Sequence, residues 1–367
     1  MSKQKQPGAH SLEEILSQPV CWNACLSQLE KSKQLYAIAN HFRDTEEWIF
    51  VGCGSSYYVA LSAAASMRSL AGVRARAVPA SEILLYPDIV FSSSENCVPV
   101  LISRSGQTSE VVDVAELLRS RGIPALAITC TSGQPLEALA SETIILPADE
   151  QSTVMTRSFT SMLLTLQTLA AVVGENSTFL HSLANMPDSA ASILQFAPGK
   201  IREFCASRNF ADYVYLGQGP FYGLACEGAL KVTEMSVSYA QSFHTLEFRH
   251  GPKSIVGPET LLVFLLSESG YQAECEALQD MKSLGATTMV VTNRADTQAR
   301  AAADLLLELK LDVPEIARLA PYLLAGQFLG LYTGIKKGFD PDSPRNLSRV
   351  VLLEEERPRS KPEHASI

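Results

Sequence analysis

Glu227, Lys231 and Glu234 share one face of a helical run, because Lys231 lies four residues after Glu227 and three before Glu234. Two carboxylates around an ammonium can carry a proton if burial lifts a carboxyl toward neutral pH. The competing reading is an exposed ion pair on a surface helix, which is common. The neighbours Leu224, Ala225, Ala229, Leu230 and Met235 are small or apolar, so a mostly buried helix is the better expectation. Downstream, His244-Thr-Leu-Glu-Phe-Arg-His-Gly-Pro-Lys253 carries two histidines. His250 precedes Gly-Pro and is expected on a tight turn, free to exchange protons, whereas His244 reads as a structural histidine.

A second set of residues could hold an anion. Gly52-Cys-Gly54-Ser55-Ser56 and Ser103-Arg104-Ser105-Gly106-Gln107-Thr108 each follow an apolar strand pattern and precede a helical one. Glycine lets the backbone approach an anion, and N–H groups at a helix N-terminus point at it. Ser55, Ser56, Ser103, Ser105 and Thr108 add hydroxyl donors, so a phosphoryl group could be held with few formal charges. Either loop alone could be turn chemistry. Two such loops at matching positions of one sheet favour binding. A dinucleotide is disfavoured, because Gly52-Cys-Gly-Ser-Ser56 lacks the third glycine of that fingerprint and no acidic residue is placed to take a ribose.

The elements that must position these residues are repeated. Gly54 recurs as Gly219, 165 residues on; Ser105 recurs as Ser269, 164 on; Thr129 recurs as Thr292, 163 on. The near-constant offset implies one duplicated unit. Strands are expected at Trp48–Val51, Arg74–Val78, Val98–Ser103, Ala125–Thr129 and Thr143–Leu146, then at Tyr213–Leu216, Leu261–Leu266 and Thr288–Thr292. Helices are expected at Val59–Leu70, Thr108–Arg121, Pro135–Ala140, Gly223–Ser236, Gln272–Leu284, Thr297–Leu305 and Ile316–Lys336, with a helical connection over Ser152–Gln195. Ser11 followed by Glu14 reads as a capping box for an N-terminal helix that stops or bends near Pro19. The alternation predicts an α/β fold of two tandem doubly wound parallel sheets with helices on both faces. Its parts are an N-terminal segment (1–30), a first domain (31–195) that grips phosphate, a second (196–340) with the acid–base residues, and a tail (341–367). In the second copy Pro220 and Phe221 stand where Ser55 and Ser56 do, and Glu268 stands where Arg104 does, so one phosphate site per chain is expected.

With 367 residues, 46% apolar and 19% charged, the chain can bury two cores. Its net charge of −9 and the lack of a basic stripe argue against nucleic acid. Ser161–Gly174 is too short to span a bilayer, and Met1–Glu14 lacks the apolar core of a signal peptide, so no membrane partner is expected. The eight cysteines are scattered, and Cys21 with Cys25 cannot alone close a tetrahedral metal site. Reduced thiols point to the cytoplasm, and no metal or redox cofactor is expected.

Taken together, Gly52–Ser56, Ser103–Thr108, Thr156-Arg-Ser-Phe-Thr160, Glu227–Glu234, Phe248-Arg-His-Gly-Pro252 and Asp342-Ser-Pro-Arg-Asn-Leu347 resemble the sugar-isomerase (SIS) domain family, as two tandem copies over roughly residues 30–350. The spacing is similar to the isomerase half of glucosamine-6-phosphate synthase. No glutaminase half precedes the repeat, so ammonia transfer from glutamine is not expected. Arg104, Thr156–Met162 and Phe248–Ser254 resemble instead the tagatose-6-phosphate isomerase and galactosamine-6-phosphate deaminase branch. The resemblance implies that Gly54, Ser55, Ser56, Ser103, Arg104, Ser105, Gln107 and Thr108 surround a sugar phosphate, with Thr153 and Ser348 as further contacts. It implies that Glu234 moves a proton between C1 and C2, that Lys231 is a catalytic-site lysine, and that the tail partly covers the site. It further implies a homodimer in which His250 opens the sugar ring across the interface. Arg349 stands where the synthase pattern has a lysine; it keeps the charge but cannot readily form a Schiff base. The implied activity is isomerisation or deamination of a ketose or amino-sugar 6-phosphate. Deglycation of fructosamine 6-phosphates and phosphosugar binding without turnover are the alternatives.

Overall fold

The structure, a computed structural model, describes residues 6–91 and 96–353. Within them the apolar runs form two five-stranded parallel sheets. The first holds β1 (Glu47–Gly52), β2 (Arg74–Pro79), β3 (Cys97–Ile102), β4 (Leu126–Thr129) and β5 (Glu142–Ile145), in the order β2-β1-β3-β4-β5. The second holds β6 (Asp212–Gly217), β7 (Tyr239–Phe243), β8 (Thr260–Leu265), β9 (Thr287–Thr292) and β10 (Leu305–Glu308), in the order β10-β9-β8-β6-β7. Read from its other edge, that is the same winding, so the sequence repeat is a repeat of topology. Gly54 and Gly219 even share a backbone conformation, with φ of 53° and 55°. β1, β3 and β8 are buried along their whole length, as strands covered on both faces must be.

The helices Ser55–Ala71, Arg157–Val173, Phe221–Ser236 and Leu319–Lys336 lie between the sheets. Their apolar faces (Val59, Met67, Phe159, Leu163, Leu224, Val232, Phe328) join the inner faces of both sheets (Phe50, Val100, Tyr215, Val263) in one continuous core. Separate clusters cover the outer faces, with Val114 and Leu118 against Ile49 and Val51, and Leu278 and Met281 against Val214 and Phe264. The shared core is what fixes the two halves against each other. Among the described residues no helix is long and apolar enough to cross a membrane.

Three local expectations are corrected. The first helix runs Ala9–Leu16, so Ser11 lies inside it rather than at its cap. The backbone N–H groups of His10 and Ser11 are taken by the Asp342 carboxylate at 2.9 and 2.7 Å, a cap supplied from the other end of the chain. Glu14 turns instead to Gln151 and Ser152, and Pro19 sits in the first turn of the next helix, Gln18–Ser32. Second, β7 and β10 were not expected as strands. β7 is an edge strand of mixed polarity, and β10 follows a helix that stops at Ala302, short of the expected Leu305. Third, the last helix begins at Leu319, preceded by a 3-10 turn, Glu315–Arg318. Of the tail expected over 341–367, residues 354–367 lie outside the described residues.

Candidate active site

In an open parallel sheet ligands gather beyond the carboxyl ends of the strands, where the winding reverses. The loops after β1 and β3 meet at that point. Gly54 takes a positive φ so that the chain can turn into the helix Ser55–Ala71, which leaves Ser55 and Ser56 buried in its first turn. In the second loop Gly106 has φ 68°, and a Cβ there would stand 2.9 Å from Gln134 Cβ. The backbone therefore folds tightly on itself. Ser103 Oγ lies 3.0 Å from Thr108 Oγ1 and accepts the Gly106 N–H at 3.2 Å, while Ser105 Oγ accepts the Gln107 N–H at 3.3 Å. Thr108 occupies the N-cap position of the helix Ser109–Ser120, without a side-chain capping bond, and the N-terminus of that helix opens onto the loop. A hydroxyl-rich concavity with a helix N-terminus behind it suits an oxyanion.

The acid–base face of Phe221–Ser236 meets this cradle directly. Ser55 Oγ donates to Glu227 Oε1 at 3.1 Å and lies 3.4 Å from Lys231 Nζ. Lys231 Nζ stands 3.1 Å from Glu227 Oε1 and 2.6 Å from Glu234 Oε2. Glu227 and Lys231 side chains are wholly buried, whereas that of Glu234 is 14% exposed, which makes Glu234 the more accessible of the two carboxylates. Burial pushes the Glu227 carboxyl up to about 7, against the pull of Lys231, and Glu227 Oε2 has no hydrogen-bond partner among the described residues. Burial also disfavours the Lys231 ammonium, but Glu227 and Glu234 together outweigh it and raise its pKa. Lys231 is thus held as a cation between two carboxylates, one of them close to its own titration.

Arg104 lies in the wall of the loop and is held by three partners. Its buried guanidinium bonds Glu150 at 3.0 Å and the carbonyls of Thr153 and Arg349 at 3.0 Å each. Glu150 is itself fixed by the N–H and hydroxyl groups of Thr156 and Ser158. The segment around Ser348 and Arg349 lies across the loop, with Ser109 N–H donating to the Val351 carbonyl at 3.3 Å. A cavity of about 330 Å³ remains beneath it, lined by Arg104, Ser105, Gln107, Thr131, Asp149 and Arg349. The Arg349 guanidinium pairs with Asp149, 2.9 Å away, in the wall of this cavity, and Ser348 is exposed, bonded to the Val350 carbonyl. Glu150 and Asp149 carry no sequence signal of such roles, since neither belongs to a motif.

His250 is exposed on its turn, and its ring makes no hydrogen bond or ion pair among the described residues. It is not joined to Lys231 or Glu234 of its own chain. His244 stacks on Tyr222 at 3.9 Å, and burial lowers its pKa. The second copy of the anion loop is filled from within. Glu315 accepts from the N–H groups of Glu268 and Ser269 and from Ser269 Oγ, and Glu268 pairs with Arg318 at 2.5 Å. An internal carboxylate thus occupies the loop of the second copy.

The sequence and fold are similar to proteins already described. The chain is 28% identical to the isomerizing glutamine–fructose-6-phosphate aminotransferase of Pyrobaculum aerophilum, over 94% of this chain and 57% of that protein. The Aeropyrum pernix enzyme of the same name gives the same identity and the same coverage. The chain thus spans little more than half the length of the curated relatives it matches. Among solved structures, glucosamine-6-phosphate deaminase from Thermotoga maritima superposes with a TM-score of 0.81 at 27% identity, covering 94% of this chain and all of that one (100%). Tagatose-6-phosphate ketose/aldose isomerase from Escherichia coli has a TM-score of 0.80 at 24% identity over 96% and 98% of the two chains, a likeness of fold. The SIS domain model matches twice, at residues 41–188 and 212–329, one match on each sheet, and the chain belongs to the SIS-domain family.

Proposed function

We propose that this chain is a phosphosugar isomerase or deaminase that acts on a ketose or amino-sugar 6-phosphate by moving a proton between C1 and C2. The observation that carries the reading is the contact of Ser55 with Glu227 and Lys231, which makes the anion cradle and the acid–base helix one site. Ser55, Ser56, Ser103, Ser105 and Thr108 hold the phosphate, with Gly54 and Gln107 in the same loops. Thr153 and Ser348 flank the sugar. Glu234 takes the proton from one carbon and returns it to the other through an enediol or enolamine. Lys231 stabilises the charge that develops on the oxygen or nitrogen between them. For an amino sugar, proton transfer from C2 to C1 leaves a ketimine, and water then replaces the nitrogen, releasing ammonia and a ketose phosphate. The full-length match to a glucosamine-6-phosphate deaminase supports this second outcome. So does Arg349 itself, whose guanidinium offers no tail amine to form a Schiff base with a ketose. In this reading two copies pair, and the exposed His250 of one aids ring opening in the other.

A panel of hexosamine and ketose 6-phosphates, followed for ammonia release and for solvent deuterium at C1 and C2, tests the proposal. Glu234→Gln is expected to slow exchange by about a thousandfold with phosphosugar affinity retained. Ser105→Ala is expected to weaken binding by about tenfold or more. Wild-type exchange in Glu234→Gln would remove that residue from its role, and binding without any exchange in the wild type would leave a sugar-phosphate sensor.

A further inference from the structure

We propose that Arg104 is a positioning residue that ties the phosphate loop to the C-terminal segment lying across it, so that an anion in the loop tightens that segment. The inference rests on the phosphate reading of the cradle. It begins from an asymmetry in what holds residues 345–353. Their apolar side chains are not buried: Leu347, Val351, Leu352 and Leu353 are 39–63% exposed. Hydrophobic burial therefore contributes little to their place, and polar links decide it.

Those links converge on the cradle. The Arg349 carbonyl accepts from Arg104, the Val351 carbonyl accepts from Ser109 N–H, and the Leu353 N–H donates to Ser109 Oγ at 2.9 Å. Arg104 lies within the loop between Ser103 and Ser105, and Ser109 opens the helix behind it. The pair of Arg349 with Asp149 is exposed at both ends and holds little by comparison. The other partners of Arg104 are held by further hydrogen bonds. Glu150 is saturated by Thr156 and Ser158, and the Thr153 N–H donates to the carbonyl of Asp342, whose carboxylate caps the helix Ala9–Leu16.

The guanidinium therefore bridges a fixed frame, the anion loop and the tail. Only arginine presents enough donors in one plane to do so; a lysine ammonium that reached Glu150 could not also hold both carbonyls. Because loop and tail share this link, a ligand that orders the first lowers the freedom of the second.

Hydrogen exchange on the full chain, read over peptides covering 345–353, tests this with inorganic phosphate and fructose 6-phosphate as probes. In the wild type either probe is expected to slow exchange there. Arg104→Lys keeps a cation beside Glu150 and so preserves the fold, yet exchange over 345–353 should rise about tenfold without ligand, and bound phosphate should no longer slow it. Ligand-free exchange in Arg104→Lys equal to wild type would overturn the tie. Tail protection by phosphate that persists in that variant would overturn the coupling. If the wild type binds neither probe while Arg104→Lys still frees the tail, the tie stands and the functional reading of the cradle falls.

Discussion

Glu227 shows how burial turns a residue pattern into chemistry. Spacing alone placed two carboxylates on one helical face with Lys231, and that pattern fits a solvated ion pair equally well. In the structure Glu227 is closed off from water and its carboxyl rises to about 7, with burial as the main cause. The consequence for stability has a definite sign. A carboxyl whose pKa is higher folded than unfolded favours the folded state while both forms are protonated. That contribution is complete below the ordinary value of 4.5 and is lost as pH rises to about 7. Urea unfolding across this window should therefore show wild-type stability falling with pH, and Glu227→Gln should flatten the fall. Equal slopes for the two proteins would mean that Glu227 is ionised throughout.

At the scale of elements, the site depends on how closely two helices approach. Ser55 reaches Glu227 because Ser55–Ala71 packs against Phe221–Ser236 with Gly223 at the contact. A Cβ on Gly223 would stand 2.6 Å from the Tyr58 carbonyl and closer still to Ser62 Oγ. Gly223→Ala should thus force the helices apart, destabilising the fold by about 1–3 kcal/mol. Because the shift falls between cradle and acid–base helix, turnover should drop more than melting does; unchanged kcat with a lowered Tm would limit the contact to packing. Gly223 opened a helical pattern in the sequence, yet nothing local marked it as a crossing point, since its neighbour is more than 150 residues away in the chain. The capping reading of Ser11 and Glu14 failed for the same reason. Its local logic was sound, but Asp342 competes for the same donors from a distance. β7 escaped notice because an edge strand with one half-exposed face needs no apolar run.

For the whole molecule, duplication explains both the shared topology and the divided chemistry. In the second copy Glu315 takes the loop donors of Glu268 and Ser269, which supports the proposal of one anion cradle per chain. His250 is exposed and unbonded within its own chain, consistent with the proposed use in a second copy. Mixing the inactive variants Glu234→Gln and His250→Ala, after dissociation and reassociation, tests this. Random pairing leaves half of the dimers hybrid, each with one intact site, so about a quarter of wild-type activity should return. No recovery would place His250 in the site of its own chain.

Eight of the ten strands, their repeat at a near-constant offset, and the two serine-rich loops were legible in the sequence because they rest on local causes. Apolar runs need burial on both faces, glycines are needed at tight turns, and hydroxyls cluster at strand ends. So was the helix carrying Glu227, Lys231 and Glu234, whose spacing is a property of helical geometry. Only the tertiary structure decided which carboxylate is sealed and which is partly exposed, that Arg104 bonds the Arg349 carbonyl, and that Arg349 pairs with Asp149. Those outcomes depend on distant groups competing for the same donors and on water being excluded, and neither is encoded by neighbours along the chain.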